Sequence, residues 1–299
     1  MKKVLVTGGA GFIGSNLVDE LIQQGYHVVV VDNESSDAHE SFYWNDRAEN
    51  HKIDICDFQS LKRVMENVEY VFHLAAEARI QPAILDPSKA VMTNVLGTCN
   101  VLQAARETGV KRVVYSSTSS AYGLKNEPPL REDMPDDCLN PYSVSKVSGE
   151  YLCKMYYNLF NLETVIFRYF NVYGERHPTR GQYAPVIGLF IKQAREGKNM
   201  TVVGDGLQRR DFTHVRDVVR ANILAATSEN PDILGQVLNV GTGMNHSVLE
   251  LVQMIGGGHE HIPARIGESR ITKANITKIS TLLGWEPTVR LEEWINDNK

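Results

Sequence analysis

Thr7-Gly8-Gly9-Ala10-Gly11-Phe12-Ile13-Gly14 lies between a short apolar run, Lys3 to Thr7, and a helical pattern over Phe12 to Gln24. A strand that ends in a glycine-rich turn and opens directly into a helix is the start of a βα unit. The helix has Phe12, Ile13, Leu17, Leu21 and Ile22 on one side and Gly25 as its stop. Gly9, Gly11 and Gly14 fit G-x-G-x-x-G. In that pattern the first glycine permits the tight turn. The second lets a pyrophosphate approach the backbone, and the third lets the helix pack closely on the strand. The helix N-terminus then offers free N–H groups and a partial positive charge to phosphates. This predicts a dinucleotide site, with Gly8, Gly11, Phe12 and Ile13 against the cofactor.

The same rhythm continues. His27 to Val31 is a β-branched run suited to a strand buried on both faces of a parallel sheet. Lys52-Ile53-Asp54-Ile55, Tyr70 to Leu74, Arg112 to Ser116 and Thr164 to Tyr169 read as further strands, with helices over Val91 to Thr108 and Ser143 to Phe160 between them. Repeated βα units imply an α/β chain, a Rossmann-type doubly wound parallel sheet with helices on both faces. Asp32 ends the second strand, with Asn33 next to it, 18 residues after Gly14. A carboxylate there accepts hydrogen bonds from ribose hydroxyls and repels a 2′-phosphate, which favours NAD over NADP. After about Asn171 the loops lengthen and Pro178, Pro185, Gly204 and Gly206 appear. Residues 1–170 are therefore expected to bind the dinucleotide. Residues 171–299 form a smaller, mixed C-terminal substrate-binding part, with 214–241 returning to the sheet.

The 299 residues carry a formal net charge of -5, which argues against nucleic acid as a partner because a phosphate backbone needs a basic face. No apolar stretch reaches the roughly 18 residues of a membrane span, and the apolar run after Met1 is too short for a signal peptide. The expected location is the cytoplasm. Cys56, Cys99, Cys138 and Cys153 show no CxxC spacing. They read as reduced thiols packed as small apolar groups, and no metal site is expected.

Pro141-Tyr142-Ser143-Val144-Ser145-Lys146 opens a helix, and Tyr142 and Lys146, four apart, share one face. A free tyrosine has a pKa of about 10 and is a poor base near neutrality. A nearby ammonium and an oxidised nicotinamide favour the phenolate, and a shift of about three units needs roughly 4 kcal/mol.

With these motifs in place, the chain resembles extended short-chain dehydrogenases that act on nucleotide sugars, the NAD-dependent epimerases of the UDP-glucose and UDP-N-acetylglucosamine 4-epimerase type, over nearly its full length. The resemblance implies Asp54-Ile55 on the adenine side and Leu74-Ala75-Ala76, after His73, along the cofactor. Ser116 and Tyr169 join the cofactor residues, and Asn94 takes a structural place. Within Arg168-Tyr169-Phe170-Asn171-Val172-Tyr173-Gly174 it puts Asn171 on the sugar diphosphate. Gly204-Asp205-Gly206 and Arg210-Asp211-Phe212 match the nucleotide side. Arg210 and Arg265 fall at diphosphate-binding positions. Ser35 to Asn50 departs from the family pattern, which has a short loop containing glycine and lysine there.

The resemblance also bears on the reaction. In Ser116-Ser117-Thr118-Ser119-Ser120, Thr118 takes the place of the hydroxyl residue that bridges the sugar O4 and the catalytic tyrosine. Dehydratases of the family carry Asp-Glu at the next two positions, and decarboxylases keep a glutamate at the second. Ser119 and Ser120 cannot replace a carboxylate in acid–base work. The implied activity is a UDP-hexose 4-epimerase acting by transient oxidation at C4, with Thr118, Tyr142 and Lys146 catalytic. Thr272, a small residue at the pocket-wall position, leaves room for an N-acetyl group. Gly174 to Pro178 and Gly181-Gln182-Tyr183 point the same way, so UDP-GlcNAc/GalNAc and UDP-Glc/Gal both fit. A Thr-Ser-Ser triplet near an arginine equally suits a glucuronate carboxylate. A non-catalytic NAD-sensing scaffold is the rival from another class, against which the retained Thr118, Tyr142 and Lys146 count. A homodimer is expected, because the helices around Asn94 to Arg106 and Ser143 to Tyr157 carry apolar residues on more than one side.

Overall fold

The computed structural model describes residues 1–179, 185–265, 267 and 269–299. Seven parallel strands form the central sheet: β1 (Lys3–Thr7), β2 (His27–Asp32), β3 (Glu49–Lys52), β4 (Tyr70–His73), β5 (Arg112–Thr118), β6 (Glu163–Tyr169) and β7 (Val237–Val240). Their order across the sheet is β7-β6-β5-β4-β1-β2-β3. Alternate residues of the apolar strands feed two cores, one on each face. Val4, Val6, Val28, Val30 and Phe72 belong to one core, and Leu5, Val29, Val31 and Val71 to the other. Helix α1 (Phe12–Gln23) covers the first face. Helices α2 (Phe58–Val64), α3 (Thr98–Thr108) and α4 (Pro141–Phe160) cover the second.

Two elements differ from the sequence reading. The third strand is Glu49–Lys52, not Lys52 to Ile55, because the register pairs Val29 with Glu49 and Asp32 with Lys52. Past Lys52 the Asp54 carboxylate accepts from Cys56 N at 2.8 Å and turns the chain toward α2. The helix expected over Val91 to Thr108 contains a widened π-turn at Met92–Gly97. Within that turn the fully buried Asn94 is tied to Glu77 N at 2.8 Å, Glu77 O at 3.0 Å and Ser145 Oγ at 2.9 Å. Three side-chain hydrogen bonds hold the bulge next to α4, and such bulges often sit beside functional sites.

After β6 the chain leaves the sheet and builds a third core around Tyr173, Phe190, Met200, Leu251 and Trp294. A parallel pair, Met200–Val203 with His259–Ile262, belongs to this part. The chain returns in between. Helix Val215–Thr227 adds Val215, Val218, Ala221 and Ala225 to the core under α1, and β7 extends the sheet beside β6. The cleft between the C-terminal ends of the strands and this smaller part is the place where ligands bind in open α/β sheets. No helix of the described residues is long and apolar enough to cross a membrane. The four cysteines are free, and Cys153 is buried in the core.

Candidate active site

The glycine turn forms the floor of a cleft of about 770 Å³. Its left-handed residue is Gly8, at φ +68°, and not Gly9, the residue to which the sequence pattern assigns the tight turn. A Cβ on Gly8 would also stand 2.8 Å from Ala75 N. Gly9 is small for another reason: its Cβ would meet Val30 Cγ1 at 2.7 Å. Gly14 lies against the turn itself, where a Cβ would be 2.1 Å from Gly8 O. At Gly11, by contrast, a Cβ would have nothing nearer than 3.4 Å. Gly11 precedes α1 with no side-chain cap on the helix, and Gly11, Phe12 and Ile13 line the cleft. A glycine on the cleft wall, a helix end without a side-chain cap and a carboxylate at the next strand end fit a dinucleotide. That carboxylate is Asp32. Its oxygens accept from Ala10 N at 3.1 Å and Glu34 N at 2.8 Å. Burial raises the Asp32 pKa, opposed by these N–H groups and by His39.

Asn33, Ile55, Leu74, Ala75, Ala76, Ser116 and Tyr169 line the same cleft. Asp54 is not on its wall; its carboxylate accepts from Asn33 Nδ2 at 2.9 Å. The divergent loop is on the wall, through Ser35, Ser36, Asp37, Ala38, His39 and Phe42, and Tyr43 N ties it to Ala10 O at 2.8 Å. Under Leu74, Thr7 Oγ1 accepts from Leu74 N and Ala75 N, both at 3.2 Å. Its own proton therefore goes to His73 Nδ1, 2.7 Å away, and His73 Nε2–H donates to Thr98 Oγ1 at 2.9 Å. Burial, and then the Lys146 charge, pull the His73 pKa down to about 3, so this imidazole is neutral.

The reacting end is assembled from β5 and α4. Asn140 accepts from Ser143 N at 2.9 Å and Pro141 opens the helix, so α4 begins one residue before Tyr142. Thr118, Tyr142 and Lys146 all reach the cleft wall. Burial raises the Tyr142 pKa, and a hydrogen bond with the Thr118 side chain opposes it. Burial pulls the Lys146 pKa down to about 7, opposed by Cys153 and Glu150. A phenol hydrogen-bonded to a threonine hydroxyl, with a buried lysine on the same wall, is an arrangement for moving a proton.

A second cavity, of about 210 Å³, shares Arg79, Ile80, Ser119, Ser120 and Asn171 with the cleft. Arg210, Arg265 and Thr272 line it, so the expected substrate residues other than Thr118 converge there. Asn171 has a positive φ of 22°, rare for a side-chain-bearing residue. Its Nδ2 donates to Asp211 O at 3.0 Å and Thr272 Oγ1 at 3.4 Å. Sequence reasoning missed Arg79, Ile80, Gln81 and Ser269 in this wall. None of the four carried a local signal; Arg79 is separated from the apolar strand end at Leu74 to Ala76 by Glu77 and Ala78. Gly181-Gln182-Tyr183 lie outside the described residues. Among those residues no group of three or more His, Cys, Asp or Glu could hold a metal ion.

Residues 4–241 match the model of the NAD dependent epimerase/dehydratase family. A putative UDP-glucose 4-epimerase of Methanocaldococcus jannaschii is 37% identical, over 98% of this chain and 95% of its own length. A UDP-glucose 4-epimerase of Mycolicibacterium smegmatis is 38% identical, over 98% and 96%. The crystal structure of UDP-glucose 4-epimerase with UDP-glucose from Thermotoga maritima superposes with a TM-score of 0.92 at 35% identity, covering 99% of this chain and 97% of that one.

Proposed function

The chain belongs to the NAD-dependent epimerase/dehydratase family, and on that premise we propose that it is a UDP-hexose 4-epimerase. One observation carries the reading. Thr118, Tyr142 and Lys146 gather in the cofactor cleft, while the two positions after Thr118 are serines on the wall shared with the second cavity. Serine hydroxyls cannot supply the acid and base of a dehydration, or the carboxylate kept by decarboxylases. The relatives named as UDP-glucose 4-epimerases support the nucleotide and the position of attack.

NAD, when bound, supplies a hydride acceptor and donor at C4 and is regenerated in each turnover. The chain's own residues do the rest. Tyr142 as phenolate takes the O4 proton and later returns it. Thr118, which hydrogen-bonds Tyr142, fixes that geometry. Lys146 favours the phenolate by its charge. Arg210 and Arg265 hold the diphosphate while the 4-keto sugar presents its other face, and Asn171 backs the same wall. Thr272, small and buried, leaves room for an N-acetyl group, so UDP-GlcNAc/GalNAc and UDP-Glc/Gal fit beside UDP-glucuronate. Residues 1–170 with 214–241 hold the cofactor, and most of 171–299 the sugar nucleotide.

The protein is a cytoplasmic homodimer in this reading. Val91, Met92 and Leu96 near the π-turn, with Val144 and Tyr151 on α4, are exposed apolar side chains that a second copy would cover. Light scattering of M92E against the parent tests the pairing, with a monomer expected for the variant.

NMR of purified protein with added NAD tests the activity, in separate tubes of UDP-GlcNAc, UDP-glucose and UDP-glucuronate. The 4-epimer should appear without net NADH. Conversion of none of the three would remove the UDP-sugar epimerase assignment.

A further inference from the structure

Gly11 is the residue at which a pyrophosphate approaches the backbone, and a side chain stands over it. A Cβ on Gly11 would meet His39 Nε2 at 3.5 Å. His39 belongs to the loop that departs from the family pattern. It is half-buried and lines the cofactor cleft beside Phe42, the two rings 5.6 Å apart. The loop is tied on both sides of it. Two residues earlier, Asp37 pairs with Arg79 of the turn after β4. One residue later, Glu40 accepts from Thr179 Oγ1 at 3.0 Å and pairs with Lys192 of the helix Val186–Arg195. Tyr43 N then donates to Ala10 O in the glycine turn at 2.8 Å. Exposed ion pairs are weak singly, but here they join a backbone hydrogen bond, and together they reach both walls of the cleft and its floor.

Thr7 to Gly14 offer N–H groups to a diphosphate but no charged side chain. The diphosphate brings two negative charges to a wall that already holds the Asp32 carboxylate. Of the cations on that wall, Lys89 is paired with Glu77 at 2.9 Å and Arg79 with Asp37, while Lys146 stands with Thr118 and Tyr142 at the reacting end. The charged groups acting on His39 are Asp32 of β2 and Arg79; Gly11 and Phe42, which lie against it, carry none. Burial holds its pKa below the usual histidine value, opposed by Asp32 and assisted by Arg79. Before the cofactor arrives the imidazole is therefore mostly neutral at pH 7. Two phosphates beside it favour the charged form, so the imidazole takes a proton from water as the dinucleotide binds.

We propose that His39 of the divergent loop is a cofactor-binding residue, whose imidazole gives a hydrogen bond and a positive charge to the diphosphate of NAD. The inference rests on the dinucleotide site alone and is independent of the sugar and the reaction that the cleft serves. Its sign follows from the proton taken up. Affinity for the diphosphate is highest at low pH, and falls as pH rises from the pKa of the free imidazole to that of the bound one.

The test is phosphorus NMR of the NAD-loaded protein between pH 6 and pH 9, with proton NMR of the His39 ring, identified by its loss in His39→Gln. The diphosphate signals should titrate with the pKa of that ring and lie flat in the variant. Calorimetry on the full chain freed of nucleotide gives a second reading, with ADP-ribose and adenosine as probes. ADP-ribose carries the diphosphate without the nicotinamide, so it leaves Lys146 undisturbed. At pH 6, His39→Gln should bind ADP-ribose about tenfold more weakly than the parent. The gap should shrink at pH 8.5, and adenosine should bind both proteins alike. Equal losses for adenosine and ADP-ribose would place His39 on the ribose or the base. Unchanged or tighter binding of ADP-ribose by the variant would make the imidazole an obstacle to the diphosphate. Either result overturns the proposal, and so does a flat phosphorus titration in the parent. Melting confirms that the variant is folded. If the diphosphate titrates with His39 but no UDP-sugar is epimerised, the proposed reaction fails and the role of His39 stands.

Discussion

The Lys146 ammonium stands 4.3 Å from the centre of the Tyr115 ring, whose hydroxyl donates to the Lys146 carbonyl at 3.1 Å. One residue thus supports both ends of the other. The ring face attracts the cation, but it replaces only part of the water that burial removes, and the lysine pKa falls from 10.5 to about 7. Below pH 7 the folded and unfolded chains both carry this charge, and the folded one holds it in a dry site. Between about pH 7 and 10.5 the folded chain sheds the proton that the unfolded chain keeps, so the penalty fades as pH rises. Lys146→Met should therefore stabilise the ligand-free protein by a few kcal/mol at pH 6, with a smaller gain at pH 9. Denaturant midpoints at the two pH values check this, and a gain that grew with pH would contradict it.

Tyr142→Phe removes the proton-transfer group while leaving the ring in place. Turnover should fall by about two to four orders of magnitude, the usual range for general acid–base groups. Bound NAD and UDP affinity should stay close to the parent. Thr118→Ala should lose less, because the phenol remains and only its alignment suffers. Both are read as kcat and KM by NMR, and a Tyr142→Phe protein of full activity would remove the catalytic assignment.

Gly11 and Gly14 should respond oppositely to a single methyl. At Gly14 the methyl would press on the backbone oxygen of Gly8 at 2.1 Å. That contact cannot be relieved by turning a side chain, so Gly14→Ala should lose on the order of 3 kcal/mol of stability. Gly11 has ordinary backbone angles, and a Cβ there would make only ordinary contacts, with Gly8 O at 3.4 Å and His39 Nε2 at 3.5 Å. Gly11→Ala should melt with the parent but retain little NAD, since the methyl stands where the pyrophosphate approaches. Melting temperature and NAD content separate the two effects.

The parallel sheet was legible because Val4, Val6, Val28 and Val30 are apolar in runs that only a doubly covered strand needs. The polar edge strand Glu49–Lys52 gave no such signal and was displaced toward Ile53 and Ile55, whose apolar side chains pack without being paired in the strand. Motif spacing put Tyr142 and Lys146 on one helix face, and the family resemblance put Thr118 at a strand end; all three line the cleft. Motif spacing also assigned the tight turn to Gly9, since a pattern counts glycines and carries no backbone angles. Arg79 and Ser269 were invisible for a different reason. They reach one cavity from segments far apart in the chain, and no local period records that convergence.

Behind the catalytic face, Arg168 of β6 grips Glu150 of α4 with two hydrogen bonds, at 2.9 and 2.7 Å, both side chains almost fully buried. Ser117 Oγ on β5 donates to the same carboxylate at 2.5 Å. Glu150 is four residues after Lys146 and Ser117 immediately precedes Thr118, so this cluster sets the height of α4 over the strand that carries the threonine. Arg168→Met strands the carboxylate in the core and should cost about 3–5 kcal/mol. Adding Glu150→Leu should recover much of that loss, because the fully buried charge leaves with its partner, while Asp136, which also pairs with Arg168, is partly exposed and can turn to water. If the cluster also positions the catalytic groups, the stable double variant should keep its KM and lose kcat. If it is only structural, both constants should return with stability. Unfolding midpoints and NMR kinetics on the parent, the two single variants and the double variant decide between these outcomes.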